Sequence, residues 1–392
     1  MVIELSIREM EPFPLCEDKI YFNNAVIGAV PESTIRVVEE YWSDYAKTLR
    51  GEIDWGEGLS KYTERKKDSK RLFAEILGAR ETEVAFLPNA STGMNTAFGM
   101  IPFRRGQNLV LTDLSFPMCA AVANKQREKG VEPRFIRHRG GVVETEQWMK
   151  AIDDDTAAVM VDQAGWFNGY LHDVEAIADA AHAHGAYLIV DGTQSAGAMR
   201  WDIQDKGVDL LATSCYKWLY GGPYNNSAGF FYMRDEIIDE LQPDYVGGQT
   251  LPEEQELRNV TDGFDIYDLK PKKGLSRIEI YSQAEGPYVA VENSMRLLLR
   301  FGLERVERQI KLVDTKIIDG LLEMGVELQT PVEEERRIYL NAVVPDYRKV
   351  CDALAGEDIH VSPRVGGLRI SPGAYNTVDE AERFLEALRR HI

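Results

Sequence analysis

The chain has 392 residues, 44% of them hydrophobic, enough to bury a substantial core in one large domain with a smaller companion. Its 45 Lys and Arg stand against 64 Asp and Glu, a formal net charge of -19 that argues against nonspecific nucleic-acid binding and leaves room only for local basic pockets. Four scattered cysteines, Cys16, Cys119, Cys215 and Cys351, lack any CxxC spacing, so neither a zinc site nor a disulfide framework is expected and no metal is assigned.

The N-terminus is acidic, with no basic segment leading into an apolar stretch, and no run approaches the roughly 18 apolar residues of a membrane span. A soluble cytoplasmic protein is the expectation. Residues 1–30 read as an arm ending in the polar turn Asn23-Asn24, with Gly28 and Pro31 announcing a helix through Thr48. A second helix is expected from about Ser60 to Leu77, closed by Gly78. From Glu83 short β-rich runs alternate with helical stretches: Val84–Leu87, Asn108–Thr112, Ala157–Val161, Ala186–Val190, Asp209–Ala212 and Ser227–Tyr232. Between two of them, Val174, Ile177, Ala178 and Ala181 follow the helical period, and Gly185 ends the helix.

Strand, helix, strand implies an α/β fold whose mainly parallel sheet is covered on both faces. A long helix is expected from Gln283 to Leu299, although Gly286-Pro287 can delay its start. The remainder, with short strands around Ile338–Val343 and Leu368–Ile370, reads as a smaller α+β domain. The expected division is an arm over 1–30 associated with that small domain, a large domain over 31–280, and a connecting helix with the small domain over 281–392.

In parallel sheets ligands collect beyond the strands' C-terminal ends, where Asp162, Asp191 and the segment before Lys217 fall. Lys217, flanked by Tyr216 and Trp218, is suited to hold a carbonyl cofactor as a Schiff base, or is an exposed charge at a strand end. Asp191 is suited to a protonated pyridine nitrogen, or caps the next turn. Together they point to pyridoxal phosphate. Gln194 can reach that cofactor's phenolic oxygen or serve its own turn. Ser91 and Thr92, ahead of an apolar helical pattern, form a phosphate seat or act as N-caps. Ser214 and Tyr216 can add phosphate bonds from the lysine side. Phe116 stacks on the ring or is a core aromatic. Asp162 and Asn168 shape the opposite wall, and Trp55, Tyr62, Trp166 and Phe167 are further pocket candidates. Arg369 offers a fork for an amino acid's carboxylate, or is a surface strand arginine.

Three segments, Val190-Asp191-Gly192-Thr193-Gln194-Ser195-Ala196-Gly197, Ser214-Cys215-Tyr216-Lys217-Trp218-Leu219 and Leu368-Arg369-Ile370-Ser371-Pro372-Gly373-Ala374-Tyr375-Asn376-Thr377, resemble fold-type-I pyridoxal-phosphate enzymes. The resemblance is to the class V aminotransferase superfamily, with its cysteine desulfurases, kynureninases and isopenicillin-N-epimerase-like proteins, and runs from Asn24 to Asn376. It implies Lys217 as the Schiff-base lysine, Asp191 at the ring nitrogen and Gln194 at the phenolic oxygen. It further implies Ser91, Thr92, Ser214 and Tyr216 at the phosphate, Phe116 stacked on the ring, and Asn24 and Arg369 at the substrate. A homodimer with active sites at the subunit interface is also implied, with Gly247-Gly248-Gln249-Thr250 in the region that approaches the neighbour.

Two departures matter. Cys351, the only cysteine after Lys217, sits in a helical context rather than a mobile loop, which disfavours a persulfide-forming desulfurase. Glu279-Ile280-Tyr281-Ser282-Gln283 stands where a glycine-threonine pair would contact the partner's phosphate, leaving Ser282 as a substitute hydroxyl. The expected activity is amino transfer from an amino acid to a 2-oxo acid. A carbon–sulfur lyase or an epimerase is the alternative, and a catalytically inactive binding or regulatory protein is the non-enzyme one.

Overall fold

The computed structural model describes residues 6–222, 228–252, 267, 269–280 and 284–392. Ser227, the acidic run 253–256, Ser282 and Gln283 lie outside the described residues. The arm carries helix α1 (Ile7–Met10) and strand β1 (Ile20–Tyr21), and two helices follow, α2 (Glu32–Leu49) and α3 (Trp55–Leu77). Helix α3 begins ahead of the expected Ser60 because Asp54 caps it, accepting a hydrogen bond from the Gly56 amide at 2.7 Å. Gly78 closes it in the left-handed region, at φ 70°.

The centre of the molecule alternates β2 (Val84–Leu87), α4 (Ala90–Met100), β3 (Asn108–Thr112), α5 (Pro117–Lys125), β4 (Glu132–Ile136) and α6 (Thr145–Ala151). It continues through β5 (Thr156–Asp162), α7 (Val174–Ala183), β6 (Tyr187–Asp191), β7 (Leu210–Ser214), β8 (Gly229–Met233) and α8 (Asp235–Ile238). The strands form a seven-stranded sheet in the order β2-β8-β7-β6-β5-β3-β4. Only β8 runs against its neighbours. Strand β4 was not expected, because Glu132, Pro133 and Arg134 interrupt its apolar character; at the sheet edge such residues are tolerated.

Helices cover both faces, so the central strands are buried throughout and alternate between two cores. Val159, Val161, Leu188, Val190 and Leu211 pack into one, whereas Ala158, Met160, Ile189, Leu210 and Ala212 pack into the other. The shared direction of β5, β6 and β7 brings their C-terminal ends together, with Asp162 in register with Asp191 and Asp191 with Ala212. This is where the expected cofactor residues converge.

The C-terminal third contains α9 (Glu285–Phe301), α10 (Leu303–Glu323), β9 (Glu327–Leu328), β10 (Leu340–Val343) and α11 (Tyr347–Gly356). It ends with β11 (Ile359–His360), β12 (Ser362–Arg364), β13 (Gly367–Ile370) and α12 (Val378–Arg389). Gly286 and Pro287 do not delay α9, because a proline in a first turn gives up no intrahelical bond. A small antiparallel sheet runs β12-β13-β10-β9, packed on its own apolar cluster. The arm joins this region: β1 pairs in parallel with β11, and the Asn24 amide donates to the Ser371 carbonyl at 3.0 Å. Among the described residues, no helix is long and apolar enough to cross a membrane.

Candidate active site

A cavity of about 420 Å³ opens at the ends of β5, β6 and β7, lined by Ser91, Phe116, Asp162, Trp166, Asp191, Gln194, Ser214, Tyr216 and Lys217 among others. Lys217 follows β7 and is buried, with 8% of its surface exposed. Its amine lies 6.0 Å from the Phe116 ring centroid and 5.8 Å from that of Tyr216, and makes no hydrogen bond among the described residues. Burial, then the charge of Arg369, lowers its pKa from 10.5 to about 7, while Asp191 and Asp162 pull the other way. The lysine is therefore a nucleophilic amine near neutral pH.

Two carboxylates close the floor. Asp191 accepts from the Thr193 amide at 2.9 Å, and Cys119 Sγ approaches its other oxygen at 3.7 Å. Asp162 accepts from the Phe116 amide at 3.2 Å. Burial, reinforced by neighbouring Asp191, raises the Asp162 pKa well above its ordinary value of 3.8. The Cys119 thiol is raised likewise, chiefly by burial. Cys119, Asp162 and Asp191 are close enough to present ligand atoms to one ion.

The start of α4 borders the cavity through Ala90 and Ser91. Asn89, rather than Ser91 or Thr92, is the N-cap, with its Oδ1 accepting from the Thr92 amide at 2.9 Å. The Thr92 hydroxyl also turns to Asn89, at 3.3 Å, and Thr92 does not line the cavity, whereas Ser91 does. Ser214 Oγ accepts from the Ala90 amide at 2.9 Å, which fixes its hydroxyl beside the helix start. Gly93 allows this approach, since a Cβ there would lie 2.4 Å from that of Ala212.

Gln194 is engaged at both ends of its amide. Its Nε2 donates to the Ala25 carbonyl at 3.1 Å and its Oε1 accepts from Trp218 Nε1 at 2.9 Å, leaving one N–H for a ligand. Phe116 is neither fully exposed nor in the core; it stands edge-on to Trp166, 5.8 Å away, at the cavity mouth. The arm meets the lysine segment directly, because Gly28 donates its amide to the Tyr216 carbonyl at 2.9 Å. A Cβ at Gly28 would fall 2.0 Å from the Lys217 carbonyl.

Arg369, on β13, and Asn24, in the arm, are not among the residues that line the cavity. Arg369 is buried, donating to the Trp166 carbonyl at 2.6 Å and to Ser362 Oγ at 3.4 Å, while its Nε has no partner. Asn24 Oδ1 accepts from the Tyr375 hydroxyl at 2.9 Å, and its Nδ2 is likewise unpartnered. Two buried donors without acceptors fit an incoming carboxylate. Together with the unbonded lysine, they make this donor set fit a pyridine aldehyde phosphate and an amino acid.

Other expected pocket residues do something else. Asn168 binds the Gly141 and Gln329 carbonyls and the Tyr170 amide, so its amide holds loops together. Trp55 is exposed at the start of α3, and Tyr62 packs against Tyr41 with its hydroxyl on Asp44; neither lines the cavity. Phe167 is buried and gives its carbonyl to Asn341 Nδ2 at 3.1 Å. Sequence reading missed Asn89 as the cap, although an Asn two residues before a serine-threonine pair is a recognisable cap signal.

The family model for aminotransferase class-V matches residues 20–384. An uncharacterized aminotransferase, YcbU, of Bacillus subtilis is 24% identical over 96% of this chain and 95% of its own length. A probable cysteine desulfurase of Methanothermobacter thermautotrophicus is 27% identical with the same coverages, 96% and 95%. The fold is shared with a C-DES mutant that holds glycine covalently linked to its PLP cofactor, at a TM-score of 0.83 and 18% identity, covering 96% of this chain and 97% of that one.

Proposed function

This chain belongs to the class-V aminotransferase family of pyridoxal-phosphate enzymes, and we propose that within it the protein transfers an amino group from an amino acid to a 2-oxo acid. One observation carries the choice over persulfide formation: no cysteine lines the cavity. Cys119 is buried beneath Asp191, Cys16 and Cys215 are buried elsewhere, and Cys351 lies on α11 with its Sγ turned to the Val361 carbonyl.

Bound pyridoxal phosphate supplies an aldehyde for amines and a protonated ring that withdraws electrons from the substrate's α-carbon. Lys217 offers the amine that anchors it. Asp191 would hold the positive ring nitrogen and Ser91 and Ser214 with the first amides of α4 would hold the phosphate, while Phe116 and Tyr216 flank the lysine. Gln194 would offer its remaining N–H to the phenolic oxygen. Arg369 and Asn24 fix the substrate carboxylate, which orients the α-hydrogen relative to Lys217. With a pKa of about 7, Lys217 Nζ can take that proton and return it under the same conditions.

A homodimer is part of the proposal, supported by exposed Trp42, Leu49 and Trp55 on the α2 and α3 side. Sedimentation analysis checks the dimer.

A second reading, carbon–sulfur lysis, is favoured by likeness to the Methanothermobacter protein named as a probable cysteine desulfurase. The deciding experiment incubates holoenzyme with a panel of amino acids, with and without 2-oxo acids. Amino transfer gives new amino acid only when the acceptor is present. Sulfide or pyruvate without an acceptor assigns lysis, and α-hydrogen exchange with inversion assigns epimerisation.

A further inference from the structure

A second charged surface faces the lysine. In the β12–β13 hairpin Ser362 pairs with Arg369 and Arg364 with Gly367. Directly opposed residues share a sheet face, and so do residues two apart on one strand. Ser362, Arg364 and Arg369 therefore project from one face, and the hydrogen bond from Arg369 to the carbonyl of Trp166, a cavity-lining residue, puts that face on the side of the hairpin nearer the cavity. Consistently, Arg364 and Arg369 both act on the charge of Lys217.

The hairpin turn holds Arg364 under strain. Val365 has φ 45° and Gly366 φ 81°, the left-handed pair of a tight turn, and a β-branched residue adopts such a conformation only when its surroundings impose it. Those surroundings are visible: Gln329 Nε2 donates to the Val365 carbonyl at 3.0 Å, and Asn341 Nδ2 to the Arg364 carbonyl at 3.0 Å. The backbone on both sides of the turn is thus fixed.

The guanidinium itself is not. Half-buried Arg364 donates to the Pro363 carbonyl at 2.8 Å, and among the described residues neither it nor Arg369 meets a carboxylate within 4.0 Å. Acidic residues outnumber basic ones in this chain, 64 to 45, so two neighbouring arginines without an acid are not a matter of short supply. Two like charges held side by side call for an anion from outside.

We propose that Arg364 is a specificity residue that binds the side-chain carboxylate of the substrate, so that the enzyme prefers an acidic amino acid with Arg369 and Asn24 on its α-carboxylate. The proposal rests on the reading of the cavity as a pyridoxal-phosphate amino-acid site. It deepens that reading by naming the substrate class.

The test titrates holoenzyme with 2-methylaspartate and with 2-aminoisobutyrate, which lack an α-hydrogen, and follows the visible band of the lysine-held cofactor. A charge-assisted pair at Arg364 makes 2-methylaspartate bind roughly 10- to 100-fold more tightly. Arg364→Gln brings the ratio of the two affinities to about one, and Arg364→Lys, a point charge without the fork, restores part of it. A wild-type ratio near one overturns the proposal whether or not the variants fold. Equal weakening of both analogues in Arg364→Gln also overturns it, by putting Arg364 on the α-carboxylate. Absence of the visible band defeats the cofactor reading instead, so the two failures are distinguishable.

Discussion

Arg337 and Arg369 occupy the same small-sheet region, each with 2% or less of its surface exposed, and they differ in what meets their charge. Arg337 donates through Nε to Asp314 at 2.8 Å, through Nη1 to the Val332 carbonyl at 2.6 Å and through Nη2 to Thr315 at 2.8 Å. Among the described residues Arg369 has a carbonyl, a hydroxyl and an unpartnered Nε, but no acid. A buried arginine whose whole fork is matched from within the chain belongs to the architecture. One left partly unmatched against a residue of the cavity wall is arranged for a ligand, because a fold gains nothing by retaining an uncompensated buried charge.

The largest test of this contrast is on the cavity side. Lys217→Ala removes both the anchor and the proton carrier, and amino-acid turnover is expected to fall by on the order of a thousandfold or more. Loss of the visible cofactor band should accompany it. Retention of both would detach the cavity from the chemistry and leave Arg369 as an unexplained charge.

The two arginines then separate by stability. Arg337→Met strands Asp314 as a buried acid, and about 3–5 kcal/mol of folding stability is expected to be lost in a denaturant titration. Arg369→Met strands no carboxylate, so its stability should change by less than about 1 kcal/mol or rise, while KM for the amino acid increases. Equal losses in the two variants would erase the distinction. Burial already outweighs Arg337 at Asp314, raising that carboxyl from 3.8 to about 6. Hence even the matched pair is a weak source of net stability, and its breakage is what costs.

A smaller effect follows from Lys217 in the cofactor-free protein. Its folded pKa, about 7, lies below the ordinary lysine value of 10.5, so between those limits the unfolded chain binds the extra proton. Stability should therefore rise with pH across this window, by up to about 1.4 kcal/mol per unit from this group alone. Below pH 7 the lysine is charged in both states and the slope disappears. Lys217→Met should flatten the rise, and an unchanged slope would show that the amine is not desolvated as its burial implies.

Sequence alone made the large sheet and its lysine legible because both are local signals. Apolar runs ending in Asp162, Asp191 and Ser214 mark strand ends, and Tyr216 and Trp218 mark a dry setting for Lys217. Arg369 was legible as a candidate but not as a partly unmatched charge, since that depends on what Ser362 and Trp166 offer it. Arg364 was not legible at all. Its direction follows from the register of β12 on β13, and Val365 reads as an ordinary strand residue although it sits in a left-handed turn. Likewise Thr92 and Asn168 had the right chemistry for a pocket, and only the three-dimensional bonds to Asn89, Gly141 and Gln329 show where those groups are engaged.

The smallest expected effect concerns sulfur. Cys351 is half-buried on α11, its Sγ turned to the Val361 carbonyl at 3.5 Å, and burial raises its pKa above the ordinary thiol value of 9. It is neither a thiolate at neutral pH nor a cavity residue. Cys351→Ser should thus leave turnover within about twofold, as expected for a surface-side substitution away from the reacting groups. A collapse of activity with loss of sulfide release would instead make Cys351 a sulfur acceptor. That result would require α11 to unwind toward Lys217, and it would replace an oxygen anion with sulfur as the species the cavity's unmatched cations are arranged to meet.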